Sequence, residues 1–188
     1  MFKVFALAAG AALLAFAPGA ARAQAADDGM LCVYDSAAAE HYEAIAEAFL
    51  GGADDDAMKS ANAMLDKATQ ACSDQFKFSE DEADAARDLA IYGVAVDYLT
   101  EDLMFMDVSD EAIDGVFTVY SALSEDDLDM FYDATWRSDA DFVARLKAGL
   151  LKAGFPDAAD ELGTAYDIFE ISAMADDAML SFTLAGDD

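Results

Sequence analysis

The chain has 188 residues, and its 39 acidic against 10 basic side chains give a formal net charge of −29 at neutral pH. A field of that sign repels nucleic acid and anionic lipid head groups, and it favours cationic partners, divalent ions or a saline surrounding. An apolar fraction of 56% with 13 Phe and 7 Tyr argues against a disordered polyanion, and the length suits one domain with a real core.

Residues 1–23 read as a cleavable secretory leader. Lys3 supplies a basic start, Val4 to Phe16 an apolar stretch, and Pro18 with Gly19 a helix break. Ala21-Arg22-Ala23 is then an A-x-A cut site that leaves Gln24 first. A membrane anchor is the rival reading, but the apolar stretch is short for a hydrocarbon core that takes about 20 residues. Leu31 before Cys32 does not suit lipid attachment, and the longest later apolar run, Leu89 to Val96, sits between Asp88 and Asp97. The expectation is a mature chain of residues 24–188, periplasmic or secreted, a single acidic all-helical domain without membrane insertion. Loss of Lys3 and Arg22 takes its net charge to about −31.

Helical patterning runs from about Ser36 to Leu50 and from Asp55 to Ala71, with Gly51 and Gly52 as the break between. The glycines lie midway between Cys32 and Cys72, so an antiparallel hairpin brings the two cysteines together, and export favours a disulfide. A redox or metal-binding thiol pair is the rival, and it lacks a C-x-x-C. Ser79 and Glu82 form a capping box that opens a long helix to about Met106, with Leu89, Tyr92, Val96, Leu99, Leu103 and Met106 at helical spacing. Ser109 starts another helix to about Leu123, Ser124 one through Trp136, and Ser138 or Asp139 one ending near Ala153. Gly154 stops that helix, and Pro156 opens the last, roughly Asp157 to Thr183. The fold class expected is all-α: a single-domain bundle of about seven helices with a disulfide-stapled N-terminal hairpin. The Ser-Glu-Asp openings at 79 and 124 do not extend into a repeat.

Acids gather at these helix starts, at 54–56, 80–84, 110–111, 125–127, 139–141 and 157–161. There they face free backbone N–H groups and the positive end of the helix dipole. That accounts for their positions and not for the scarcity of Lys and Arg, which points to solvation, to a basic partner protein or to divalent cations. No calcium loop fits: from Asp107, Ala112 stands at the turn glycine and Thr118 at the bidentate acid.

His41 is the sole histidine, which excludes a zinc site of several imidazoles, H-E-x-x-H and a di-iron bundle with paired E-x-x-H motifs. Glu43 and Glu47 share its stretch with Glu40, in a row that is also what any solvent face looks like. Haem attachment through C-x-x-C-H is missing, and a His41–Met pair is formally open. The methionines read as core filler, with Met104-x-Met106 as a faint soft-metal pattern. Neither G-x-S-x-G nor a P-loop occurs. Trp136 reads as core between helices, its rival being an exposed interaction anchor. No cofactor is expected. The leading functional expectation is an exported, non-enzymatic binding module for a basic partner; low-affinity divalent-cation (Ca²⁺) binding comes second, and an enzyme or haem or metal protein using His41 third.

Overall fold

The structure, a computed structural model, describes residues 20–51 and 54–186, with side chains from Asp28 onward. Most of the expected leader, and Gly52 of the expected break, lie outside the described residues. Among them stand seven α-helices and no strand: α1 (Ala20–Leu50), α2 (Asp55–Phe76), α3 (Glu80–Phe105), α4 (Asp110–Tyr120), α5 (Glu125–Tyr132), α6 (Ala140–Lys152) and α7 (Ala159–Ala185). One 3-10 turn, Trp136–Ser138, links α5 to α6.

The ends follow local chemistry. Asp54, Ser79, Ser109, Ser124 and Asp139 each accept a hydrogen bond from a first-turn backbone N–H. At Ser79 and Ser124 the third-position acid, Glu82 or Asp127, returns the bond and closes a capping box. Gly51 (φ 116) and Gly154 (φ 93) take the left-handed conformation after α1 and α6, where a Cβ is strained.

Five boundaries differ from the sequence expectation, and the end of α2 is one: it runs on to Phe76, five residues past Ala71, before Lys77 turns left-handed (φ 65). α1 starts at Ala20 instead of Ser36, because Met30, Val33 and Ala37 already face the core; Gly29 and Asp35 obscure that period in sequence. Cys32 therefore lies within α1, while its partner Cys72 sits near the end of α2. α4 stops at Tyr120, ahead of the Ser124 cap of α5, and α5 stops at Tyr132, since Ala134 turns left-handed (φ 53) before the Trp136 turn. α7 starts at Ala159 without a side-chain cap, and Asp157 is drawn instead to Lys147 at 2.5 Å.

The disulfide is formed: Cys32 and Cys72 have Cα atoms 5.9 Å apart and close a separation of 40 residues. Buried side chains form two clusters. One joins α1, α2, the first half of α3 and the end of α7, through Val33, Ile45, Leu65, Leu89, Val94 and Phe182. The other joins the second half of α3 to α4, α5, α6 and the start of α7, through Leu103, Val116, Phe131, Trp136, Leu150 and Phe169. α3 and α7 run through both and pack closely along their lengths. Phe78 meets Phe182 edge-on at 5.3 Å, which sets the start of α3 against the end of α7 and makes the pair antiparallel.

Candidate functional site

The antiparallel pair leaves one open groove of about 610 Å³. Its α3 wall carries Asp81, Asp84, Asp88 and Tyr92, and its α7 wall Met174, Asp177 and Ser181; both sets follow helical spacing, so each wall is one helix face. Small residues, Ala85 and Ala178, lie between them, and Tyr132, the last residue of α5, leans over from the side at 43% exposure.

The groove is negative because the elements that build it hold almost no cations. α5 and α7 contain no Lys or Arg, and α3 contains only Arg87. Arg87 turns to α2, where it donates to Asn62 and lies 3.4 Å from Asp66. The other guanidinium and ammonium pairs lie elsewhere: Arg137 with Asp167 and Glu170 at 2.7 Å each, Arg145 with Asp127 at 2.7 Å, and Lys147 with Asp157. Among the described residues, Asp81, Asp84, Asp88 and Asp177 take part in no ion pair. Burial, opposed by neighbouring Arg87 and reinforced by Asp84, lifts the Asp88 carboxyl above the ordinary aspartate range. Burial also lifts the Tyr92 and Tyr132 phenols, with Asp177 adding to both. The phenols therefore stay neutral near pH 7, as hydrogen-bond groups and aromatic faces beside the carboxylates. Such a lining suits ammonium or guanidinium groups carried on an apolar stem, held by charge, by cation–π contact and by Met174.

The residues singled out in sequence behave differently from one another. Cys32 and Cys72 meet as expected. His41 sits at a kink in α1 (φ −141, ψ 15), 31% exposed and 3.6 Å from Glu40, while Glu43 and Glu47 are exposed beyond it. Among the described residues, no three His, Cys, Asp or Glu side chains gather into a group that could hold a metal ion. Trp136 is core at 1% exposure, tilted on Phe131 at 5.2 Å and edge-on to Tyr166 at 5.8 Å, with the Arg137 guanidinium 4.2 Å over its ring. Its Nε1 has no hydrogen-bond partner. Met104 and Met179 depart from the core reading, at 45% and 39% exposure. They lie where α3 and α7 turn a face away from the bundle.

No protein-family model, no curated protein and no solved structure matches the chain.

Sequence reasoning passed over Asp177, Tyr132 and Met174 as site residues. Asp81 and Asp84 stood only among the helix-start acids and Asp88 only as the flank of an apolar run, and the wall that faces them comes from a helix nearly a hundred positions later in the chain.

Proposed function

We propose that this chain is an exported, non-enzymatic helical protein that binds a cationic partner, with the α3–α7 groove as its principal contact. The observation that carries the reading is the set of four groove carboxylates, free of ion pairs among the described residues, beside Tyr92 and Tyr132. The partner class is a basic protein segment whose Lys or Arg stems lie on Met174 and the tyrosine rings while their charged ends reach the aspartates. The wider negative surface steers the encounter and sets its salt dependence.

Support for export is the leader pattern of residues 1–23 together with the Cys32–Cys72 disulfide, a bond that persists in oxidising compartments. No helix among the described residues is long and apolar enough to cross a membrane. The divalent-cation reading ranks second, because the groove acids line two walls and are not gathered around one centre. Calorimetric titration of the disulfide-bonded chain with a Lys- and Leu-containing helical peptide tests the reading. Binding at low ionic strength that weakens steeply as salt rises supports it; no heat beyond that of an uncharged peptide of the same length rejects it.

A further inference from the structure

α1 is fastened to α3 by two tyrosines on either side of its kink. Tyr34 donates to the Asp97 carboxylate, and Tyr42 donates to Glu101 at 3.2 Å. Between them the helix breaks at His41, so the arm that holds Tyr34 and the arm that holds Tyr42 are fastened separately. The two fastenings differ in depth. Tyr42 and Glu101 meet at the exposed edge, whereas Asp97 is partly buried where the Tyr34 ring lies over Gly93. Asp97 has no cation: among the described residues it is in no ion pair, and the titratable groups around the clasp are Tyr34, Asp35, His41 and Tyr42 from α1 and Tyr98 and Glu101 from α3. Of these, Tyr34 and Glu101 bear on Asp97 most directly.

We propose that the α1–α3 seam is an acid-tightened clasp, in which a proton taken up from solvent at Asp97 holds the Tyr34 arm of α1 more firmly on α3. A carboxylate withdrawn from water with one phenol as partner costs free energy that its protonated form does not. The protonated carboxyl keeps the hydrogen bond to Tyr34, so uptake removes the cost without removing the contact. When the arm lifts, Asp97 regains water and its ordinary affinity for protons. The closed seam thus binds the proton more tightly than the open one, and closure strengthens as pH falls toward the ordinary aspartate value. Burial, reinforced by Glu101 and opposed by the Tyr34 bond, displaces Asp97 in the direction this requires. The consequence is a device in an exported chain that firms one helix as its surroundings acidify and loosens it as they become neutral.

Native-state hydrogen exchange on the full disulfide-bonded chain tests the clasp, reading amides of residues 30–40 against those of α6 and correcting for intrinsic exchange. The protection of residues 30–40 is expected to rise as pH falls from about 7 to about 4, by no more than the tenfold per pH unit that one proton permits. Asp97→Asn is expected to abolish the rise and Glu101→Gln to retain it. A flat wild-type profile, or a rise that Asp97→Asn keeps, overturns the proposal. Should Asp97→Asn fail to fold, carbon-13 titration of the wild-type Asp97 carboxyl decides: a midpoint above about 3.9 supports the clasp, and one at or below it overturns it.

Discussion

A Cβ placed on Gly93 would stand 2.7 Å from Cδ2 and 2.9 Å from Cε2 of Tyr34. The glycine is a notch in α3 that lets the tyrosine ring cross to Asp97. Gly93→Ala gains about 1 kcal/mol of helix propensity, yet it forces a buried seam apart at a cost of about 1–3 kcal/mol, so the clash wins. Gly163 is a built-in comparison, since nothing lies within 4 Å of its Cβ position. Urea unfolding is expected to give a lower midpoint for Gly93→Ala and a higher one for Gly163→Ala; a rise in both would show that the seam yields freely.

The Cys32–Cys72 bridge closes a separation of 40 residues. In the chain-entropy account such a loop is worth about 4 kcal/mol, mostly by confining the unfolded chain. The Cys32→Ser/Cys72→Ser double variant should therefore lose on that order in denaturant unfolding, and reduced wild type should match it. A loss below about 1 kcal/mol would mean that α1 and α2 hold together in the unfolded chain.

Three tyrosines tie distant helices through carboxylates: Tyr34 to Asp97, Tyr42 to Glu101, and Tyr120 to Asp176 at 2.5 Å. Burial comes first among the causes that raise all three phenols, with the carboxylate partners adding to it. An unfolded tyrosine loses its proton near pH 10, while these keep theirs to higher pH in the folded chain. The sign follows: their contribution is complete below about pH 10 and is lost as pH climbs through the raised folded values. Base titration followed by circular dichroism should show unfolding beginning above about pH 10, and Tyr120→Phe should flatten the dependence in that range. An unchanged profile would remove Tyr120 from the account.

Much of the fold was legible because the signals were local. Ser79 with Glu82, and Asp139 before the α6 apolar stripe, each specify an end through bonds reaching only three residues, and the structure keeps them. The paired cysteines followed from their equal distance to a glycine break. What escaped depended on contacts remote in sequence. The early start of α1 is set by packing of Met30 and Val33 against distant helices, and the expected early start of α7 yields to a Lys147–Asp157 pair that no caps pattern encodes. The groove was half legible: Asp81, Asp84 and Asp88 recur at helical spacing, but a row of acids on one helix is also an ordinary solvent face. Only the antiparallel docking of α7, which brings Asp177 and Met174 opposite them, and the short α5, which brings Tyr132, turn that row into a wall.

Uncompensated charge of −29 also opposes compaction at long range, and salt shortens that range. Melting temperature should increase between about 0.02 M and 0.5 M NaCl, where the Debye length shrinks from about 20 Å to about 4 Å. A flat response would mean that the few ion pairs, such as Arg137 with Asp167 and Glu170, lose as much to screening as the acids gain.

The most direct test of the binding account is a comparison of two equally neutralised variants against the same Lys- and Leu-containing peptide. One, Asp84→Asn/Asp88→Asn/Asp177→Asn, removes charge from the groove; the other, Glu40→Gln/Glu43→Gln/Glu47→Gln, removes as much from the exposed face of α1. With dissociation constants measured at low ionic strength, the groove variant is expected to bind at least about tenfold more weakly than wild type, a loss of about 1.4 kcal/mol, while the α1 variant stays within about twofold. Equal weakening of both would contradict the account, reducing the groove to one part of a uniformly acidic surface.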